Sequence, residues 1–425
     1  MEQSQRNISK LVDHLFRHEA GKMVSVLTKI FGIENLQTAE DVVQDTLLHA
    51  FQVWTTDSIP DNPSGWLFRV AKNKAINIIK RNHHSISFDF SDKELLPLTS
   101  NYSFDATMDS FWKEELVKDD MLRMMYACCH PAISEENQVT LILKLLCGFS
   151  TAEIAKAFIT NEDTISKRLY RTKEFFRNER IKLVIPSIAE LKNRTEVVLN
   201  AIYLLFNEGY NSTHTEELIR IEVINEAMLL CKMLLANEYT QLPEVYALMA
   251  LMCFHSSRTE SRQTSEGTIV LLADQDRTKW NYQSITDGNT YMQLAASGNS
   301  ISRYHIEAAI AYEHCIAKSF DATDWGKILS YYNLLCLHYS SPIAELNKAV
   351  VIMQVSGVEA AITALGNITD KNKMETFYLY HAIWGTLQIQ AGNRIAAKGC
   401  FERAVELTQS VAEKNMLNEK IRMLV

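Results

Sequence analysis

The sequence predicts an all-α protein. Apolar residues recur along most of the chain at the three- to four-residue spacing of amphipathic helices, whereas the alternating pattern of strands is hard to find. Residues that interrupt helices are scarce, since the 425 residues include 14 glycines and 7 prolines. A third indication is a recurring helix-start signal, in which a hydroxyl residue precedes an acidic residue by three positions. A chain of this length has room for about three domains.

The first predicted domain covers residues 1–84 and contains only helices. After a first helix, the stretch TAEDVVQDTLLHAFQVW (Thr38–Trp54) predicts a second, with Thr38 and Asp41 at capping-box spacing. A loop with two prolines, Thr55–Gly65, separates it from a third helix over Trp66–His84. This third helix has no acidic residue and five basic ones: Arg69, Lys72, Lys74, Lys80 and Arg81.

Residues 85–110 predict a flexible linker. They lack helical periodicity and are rich in serine and aspartate, a composition typical of tethers between domains. Helical periodicity resumes at Phe111 and continues to about Lys182, and Pro186 then marks a break. The second predicted helical domain therefore covers residues 111–185.

Two short helices that meet at a tight turn are predicted at the end of this domain, in FSTAEIAKAFITNEDTISKRLYRTKEFFRN (Phe149–Asn178). Ser150 with Glu153 and Thr160 with Asp163 both have capping-box spacing. The second helix has an apolar face for docking on the domain. Its opposite face carries the basic residues Lys167, Arg168, Arg171 and Lys173.

This pair of helices has the pattern of a helix-turn-helix that binds DNA. Residues 167–182 include seven basic and two acidic residues. In a helix-turn-helix the second helix presents such a face to phosphates and base edges of the major groove. The alternative interpretation is an exposed basic helix on an ordinary bundle.

Residues 190–425 predict successive helical hairpins. The stretch Tyr378–Thr408 has the small-residue signature of a tetratricopeptide unit, and Ser341–Leu365 looks like a degenerate relative. A strict 34-residue period is absent. The residues expected to lie at the contact between two antiparallel helices are Gly385, Ala397, Phe401 and Ala404.

The net charge of −8 is unevenly distributed. Residues 1–200 hold 25 basic and 27 acidic residues, whereas residues 201–425 hold 18 and 24. A phosphate-binding surface needs a local basic patch rather than a basic total, so the acidic balance does not exclude DNA binding. No signal peptide is recognisable and no apolar run approaches the ~20 residues of a membrane span, so a cytoplasmic protein without membrane contact is predicted.

The eight cysteines predict neither a metal site nor a disulfide framework. None forms a Cys-x-x-Cys pair, and scattered cysteines in a cytosolic chain are typical of reduced core thiols. The adjacent Cys128, Cys129 and His130 leave a metal or redox site as the minor alternative. No metal and no cofactor is expected.

Two separate basic helical domains joined by a tether resemble a two-domain sigma factor. Residues 1–182 resemble a sigma-70-type factor of the extracytoplasmic-function (ECF) group. TAEDVVQDTLLHAFQVW resembles its region 2.1–2.2, SGWLFRVAKNKAINIIKRN its regions 2.3–2.4, and NQVTLILKLLCGFSTAEIAKAFITNEDTISKRLYRTKEFFRN its region 4. The remainder resembles a subgroup with a long tetratricopeptide-like extension, through YLLFNEGYNST and LLADQDRTKWN.

The resemblance implies a factor for transcription initiation whose partners are core RNA polymerase, through its β′ clamp and β flap, and promoter DNA. The residues implied to contact the polymerase are Asp41, Gln44, Asp45 and Leu48. Those implied at the −10 element are Arg69, Lys72, Asn73, Lys74, Asn77, Lys80 and Arg81. Those implied at the −35 element are Thr164, Lys167, Arg168, Arg171 and Lys173.

For some of these residues a structural role is the alternative. The acidic residues near Asp41 would then only cap and solvate a core helix. The Thr55–Gly65 loop is implied to hold an unstacked base of the melted strand. Trp54 and Trp66 flank that loop, but core packing is the better interpretation for both.

The C-terminal half is predicted to regulate the sigma half within the same chain. Its residues Asn207, Glu208, Asp274, Asp276, Arg277 and Trp280 form a possible ligand or interdomain site. An Asp–Arg pair near an aromatic face is one interpretation of DQDRTKW, and a buried ion-pair network that braces two helices is the other.

Two other functions compete with a sigma factor. A one-component regulator, with a helix-turn-helix and a ligand-sensing domain, explains the second and third parts of the chain but not the Asp41–Arg81 signature. An enzyme would use Asp274, Asp276 or His305 as acid–base groups. No glycine-rich phosphate loop, nucleophile elbow or His-Glu-x-x-His motif supports an enzyme.

Overall fold

The helices expected from the sequence make up the architecture. The computed structural model describes residues 2–56, 59–81, 111–179, 181, 187–212, 217–264 and 267–424. These residues contain 19 α-helices and no strand, which confirms the all-α prediction. The predicted linker at residues 85–110 lies outside the described residues.

The helices of residues 2–210 are α1 Glu2–Phe31, α2 Leu36–Thr56, α3 Pro63–Arg81, α4 Glu114–Cys128, α5 Glu135–Leu145, α6 Thr151–Ala157, α7 Glu162–Glu179 and α8 Ile188–Tyr210. Those that follow are α9 Ile221–Ala236, α10 Pro243–Ser256, α11 Tyr282–Ala295, α12 Arg303–Ile316, α13 Trp325–His338, α14 Pro342–Ser356, α15 Val358–Gly366, α16 Lys371–Met374, α17 Tyr378–Gln390, α18 Arg394–Leu407 and α19 Val411–Arg422.

The chain divides into two compact units, Met1–Leu205 and Phe206–Val425. The division falls inside α8 and not at residue 190, where the sequence pattern changes. The reason is that the first half of α8 packs on the helices before it. The buried Thr195 hydroxyl lies 2.8 Å from the Tyr126 hydroxyl of α4, and Val198 and Ile202 are fully buried.

In the first unit, helices α1–α3 pack against helices α4–α7. The closest approach is at Gly21 of α1, where an added Cβ would lie 2.5 Å from the Leu146 carbonyl oxygen. Buried or half-buried ion pairs join the two groups of helices. Lys29 Nζ lies 3.1 Å from Asp120, Arg17 Nη2 lies 2.9 Å from Glu153, and Lys173 Nζ lies 2.7 Å from Glu40.

The second unit consists of helical hairpins with small residues at their crossings. The predicted contact between α17 and α18 is confirmed, because Gly385 faces the Phe401 ring while Ala397 and Ala404 are fully buried. Gly288 of α11 faces the Phe254 ring of α10 in the same way. A side chain at either glycine would collide with the ring, so these glycines set the distance between the helices.

Helix-start predictions were correct where the helix boundary was correct. Ser150 and Glu153 form the predicted capping box of α6. The prediction for Thr160 and Asp163 was wrong: the Asn161 side chain accepts the Thr164 N–H at 2.9 Å instead. Thr160 instead stabilises the turn, because its backbone N–H donates to the Ala155 carbonyl.

Two other helices begin earlier than predicted. Helix α2 starts at Leu36, so Thr38 lies inside it and caps nothing. Helix α3 starts at Pro63, three residues before Trp66, and the Asn62 side chain accepts the Gly65 N–H at 2.9 Å. Proline at the first helical position needs no hydrogen bond for its nitrogen, which makes Asn62-Pro63 a favourable start.

Burial agrees with the prediction of core thiols for most of the cysteines. Cys128, Cys129, Cys147, Cys231 and Cys253 are buried and the other three are half-buried. Burial raises the pKa of the Cys128 and Cys129 thiols well above the ordinary value, which disfavours the thiolate that binds metals. No metal-binding cluster occurs among the side chains that the structure describes.

Candidate nucleic-acid and protein interfaces

Helix α2 presents one exposed stripe. Asp41, Gln44, Asp45 and Leu48 are spaced at i, i+3, i+4 and i+7, and all four are exposed, Leu48 to 58%. The opposite face carries the buried Val42, Val43 and Ala50. The stripe combines carboxylates with an exposed leucine, which suits a protein surface that binds another protein.

Sequence reasoning missed one member of this stripe. Phe51 is 51% exposed and lies three residues after Leu48 on the same face. The resemblance named Asp41, Gln44, Asp45 and Leu48 but not Phe51. The exposed stripe, defined here as Asp41, Gln44, Asp45, Leu48 and Phe51, is therefore more apolar than the sequence indicated.

Helix α3 has its basic residues on one face and its buried apolar residues on the other. Leu67, Ala71, Ala75 and Ile79 are buried. Exposed side chains on the other side are Arg69, Asn73, Asn77, Lys80 and Arg81. Lys72 and Lys74 are half-buried at the boundary, and Lys74 Nζ lies 3.6 Å from a carboxylate oxygen of Asp45 on α2.

Trp54 and Trp66 pack together, as the core interpretation predicts. Their ring centroids are 5.4 Å apart, and Trp54 is only 4% exposed. Phe16 and His49 complete the aromatic group on either side. The pair fixes the ends of the Thr55–Gly65 loop, part of which lies outside the described residues.

Helix α7 presents a basic depression on its outward face. Its lining side chains are Thr164, Lys167, Arg168 and Arg171, together with Asn137 of α5, around a volume of about 270 Å³. Lys167 and Arg171 are exposed, and Lys167 pairs with Asp163 at 2.6 Å one turn away. This surface can accept phosphate oxygens without rearrangement of the core.

Tyr170 belongs to the same face and was missed in the sequence. It is 68% exposed and lies between Lys167 and Arg171 on the outward side of α7. A tyrosine at this position offers a ring for stacking and a hydroxyl for hydrogen bonds. The sequence does not show that Tyr170 is exposed within a basic face, because that exposure depends on the orientation of α7.

Arg168 and Lys173, two further predicted DNA contacts, pair with acidic residues of other helices. Arg168 Nη2 lies 2.5 Å from Glu136 of α5, and the guanidinium stacks over Phe158 at 5.3 Å. Lys173 points away from the basic depression and pairs with Glu40 of α2. The sequence pattern groups Lys173 with the basic face because the sequence does not show which other helices pack against α7.

The DQDRTKW segment forms a cation–aromatic contact without an Asp–Arg pair. The Arg277 guanidinium lies 4.5 Å from the Trp280 ring centroid and donates to the carbonyl groups of His314 and Ala317 at 2.6 and 2.8 Å. Asp276 instead accepts from Thr278 and caps a short 3-10 helix. Asp274 is exposed.

The other residues of the predicted ligand site have structural partners. Glu208 is buried beside Ser212 and lies 3.7 Å from Arg220, and the adjacent Asn207 is half-buried. His305, the acid–base candidate of the enzyme hypothesis, closes the capping box of α12. Both of its ring nitrogens lie within hydrogen-bond distance of Ser302 or the Ala295 carbonyl.

His314 makes the stability of the second unit sensitive to acid. Burial and then Arg258 and Arg277 lower its pKa from 6.5 to about 3. The unfolded chain therefore takes up the proton first, and stability falls as the pH falls below about 6.5. His314 alone should cost about 2 kcal/mol between about pH 7 and about pH 5.

Urea unfolding at the two pH values measures this loss. His314→Phe keeps a ring against Trp325 and removes the titration, so the loss should shrink by about 2 kcal/mol. His338→Phe, at an exposed histidine of the next helix, is the matched control and should leave the loss unchanged. Equal losses in the wild type and His314→Phe would contradict the lowered pKa.

In the part of the chain that the structure describes, no helix has the length and apolar character needed to cross a bilayer. This agrees with the absence of such a run in the sequence.

Two family models match separate parts of the chain. Residues 15–84 match the family model described as sigma-70 region 2, and residues 194–296 match a family of unknown function, DUF6596. The chain is 30% identical over 383 residues to an uncharacterized protein of Rhizobium meliloti (strain 1021), an alignment that covers 89% of this chain and 88% of the relative. No solved structure matches.

Proposed function

Because the chain belongs to the sigma-70 family, as an ECF-like member with a C-terminal extension, we propose that it directs core RNA polymerase to promoters with two recognised elements. Sigma-70 region 2 implies that the chain binds core polymerase and promoter DNA, as a transcription initiation factor rather than an enzyme. The exposed stripe of α2 carries the proposal, because it lies inside residues 15–84 and offers a docking face beside the basic helix α3.

The exposed stripe is proposed to bind the polymerase clamp. Leu48 and Phe51 supply the apolar centre that a protein interface needs, and Asp41, Gln44 and Asp45 supply polar contacts around it. An exposed leucine and phenylalanine on one helix face cost solvation in the free protein. Burial against a partner recovers that cost.

Helices α3 and α7 are proposed to hold the −10 and −35 elements. Both present exposed cations on a face opposite to a buried one. In this proposal Arg69, Lys80 and Arg81 grip phosphates beside the opened strand, and α7 enters the major groove. Each contact set is small, so tight promoter binding requires the polymerase as a common scaffold.

The first unit is proposed to open on the promoter. Elements centred at −35 and −10 are about 25 base pairs, or roughly 85 Å, apart on straight DNA. A compact unit of this length has a radius of gyration of only about 17 Å. In this proposal helices α3 and α7 separate before both elements are occupied.

Run-off transcription with purified core polymerase tests the proposal. The full chain is added to a pool of genomic promoters, and discrete start sites with common upstream elements are expected. If no transcripts appear while the chain binds promoter fragments tightly as a dimer without polymerase, a one-component regulator replaces the proposal.

The second unit is proposed to regulate the first within one chain. Its acidic balance, 18 basic to 24 acidic residues over 201–425, is opposite in character to the basic faces of α3 and α7. A truncation for this test should end after Ser212 rather than before residue 190, because α8 contributes the Thr195–Tyr126 contact to the first unit. Unchanged promoter-dependent transcription from residues 1–212 would contradict regulation.

Arg171 and Lys173 give a matched test of DNA contact by α7. Arg171→Ala should reduce promoter-dependent transcription about tenfold and lower the salt dependence of holoenzyme binding by ~1 in log–log slope. Lys173→Ala removes the same charge two residues away, but that side chain pairs with Glu40. It should leave the salt slope unchanged. Equal slopes for both variants would contradict a directional DNA face.

A further inference from the structure

We infer that the second unit contains a binding site for a small oxyanion of the phosphate class, formed by Arg258, Arg262 and Arg277. Neither matched family model assigns such a site. The inference does not depend on the sigma function, because every residue that carries it lies within the second unit.

The three arginines come from two short stretches, residues 258–262 and residues 277–280, which meet through shared aromatic residues. Arg258 and Arg277 both lie over the Trp280 ring, at 5.7 and 4.5 Å from its centroid. Arg262 lies 3.8 Å from the centroid of the Tyr210 ring, and Arg258 donates to the Tyr210 hydroxyl at 3.0 Å. Arg258 thus connects the two aromatic rings and stands at the centre of the group.

The group contains no opposite charge among the described residues. Arg258 donates to Tyr210 and to His255 Nδ1, Arg262 donates to the Tyr210 carbonyl, and Arg277 donates to two carbonyls at the end of α12. All of these partners are neutral. Helix-end carbonyls offer only a partial negative charge to the guanidinium groups.

The electrostatic consequences are visible on the neighbouring groups. Burial lowers the pKa of Arg262 and Arg277, and Arg258 lowers both further. Burial, then Arg258 and Arg262, lower the pKa of His255 well below its usual value, so that imidazole stays neutral. Clustered cations without a counter-ion are unfavourable in a half-buried place, and a bound anion removes that penalty.

Hydrogen-bond donors without acceptors point to the same ligand. Trp280 is 4% exposed and its indole N–H has no hydrogen-bond partner, although it lies beside two guanidinium groups. Arg277 Nη2 is likewise buried without a partner. A buried donor that lacks an acceptor is costly, and the oxygens of an oxyanion are acceptors for both atoms.

The chemistry favours a phosphate-type anion over a nucleic acid. Guanidinium groups bind phosphate oxygens in pairs through their forked N–H groups. A nucleic acid needs an exposed basic surface along several phosphates, whereas these side chains are half-buried within an acidic part of the chain. The site therefore fits inorganic phosphate or the phosphoryl group of a small metabolite.

Titration of the full chain with inorganic phosphate, against chloride at equal ionic strength, tests the inference. Saturable heat of binding is expected with phosphate only. Arg258→Gln and Arg277→Gln should each weaken phosphate binding at least tenfold. Arg403→Gln, at an exposed arginine of α18 in the same unit, should leave it unchanged.

A spectroscopic readout locates the anion independently. In the NMR spectrum, the indole N–H signal that is absent from Trp280→Phe is the signal of Trp280. In the wild type this signal should shift when phosphate is added, because that donor gains an acceptor. If the glutamine variants fail to fold, Arg258→Lys and Arg277→Lys keep the charge and remove the fork, and each should still weaken phosphate binding.

Three results would overturn the site. One is a dissociation constant weaker than about 1 mM with no difference from chloride. Another is saturable binding that none of the arginine variants weakens, which would place the anion elsewhere. The third is an unmoved Trp280 signal at phosphate saturation.

Discussion

Leu48→Asp is expected to reduce binding to core polymerase and promoter-dependent transcription by roughly a hundredfold or more, with the fold intact. Leu48 is 58% exposed at the centre of the exposed stripe of α2, so aspartate is tolerated in the free chain. In the complex it would place an unpaired charge in an apolar contact, which costs about 3 kcal/mol or more. Native gel shift and run-off transcription measure the two losses.

Leu337→Asp is the matched control for this variant. Leu337 is 75% exposed on α13 of the second unit. Its replacement by aspartate makes the same chemical change outside the proposed interface. It should bind polymerase as the wild type does. If Leu48→Asp and Leu337→Asp both retain full activity, the exposed stripe is not the polymerase contact, and the basic faces of α3 and α7 would need another partner to bring them to DNA.

Gly21→Ala is expected to destabilise the first unit by about 1–3 kcal/mol. The added methyl group would lie 2.5 Å from the Leu146 carbonyl oxygen, a backbone atom that cannot rotate away. Helix α1 would have to move off the end of α5. The nearby Arg17–Glu153 and Lys29–Asp120 pairs would then be strained or broken. Urea unfolding measures the change.

Gly399→Ala supplies the control for Gly21→Ala. Gly399 also lies within a helix, and an added Cβ there meets nothing within 4 Å. Without a collision, alanine should stabilise the protein by up to about 1 kcal/mol through its helix propensity. Stabilisation by both substitutions would show that α1 and the end of α5 are not in close contact in solution.

The effect of Gly21→Ala on transcription bears on the opening of the first unit. If separation of α3 and α7 is part of promoter binding, weaker packing between α1 and α5 should not reduce run-off transcription at a temperature where the unit stays folded. A loss of transcription in proportion to the loss of stability would indicate that the closed packing itself is the active arrangement.

Some patterns within one helix were predicted correctly from the sequence. Asp41, Gln44, Asp45 and Leu48, which the resemblance named together, are all exposed on one face of α2. The Ser150–Glu153 capping box was likewise correct, because both partners lie within four residues. Such features depend on local geometry, which the chain carries wherever the helix is placed.

The Thr38–Asp41 and Thr160–Asp163 capping boxes were wrong although both are local, because the helices begin at other residues. Other errors arose where a residue's neighbours are distant in the chain. Lys173 was grouped with the outward basic face, but it pairs with Glu40, 133 residues away. Phe51 was not among the residues expected on the exposed stripe, yet it is 51% exposed, because exposure depends on how the surrounding helices pack. The segment after Pro186 was assigned to the second half, although α8 packs on Tyr126.

The amino-acid sequence by itself determined the helical class, the faces of α2, α3 and α7, and the sigma-70 resemblance. The helical class and the faces depend on side-chain types at spacings of three and four residues, whereas the resemblance depends on the quoted motifs. Only the tertiary structure brought Arg258, Arg262 and Arg277 around Trp280 and Tyr210, and only it set Gly21 against Leu146. Contacts between distant residues follow from how whole helices pack, and a single sequence carries no periodic signal for that packing.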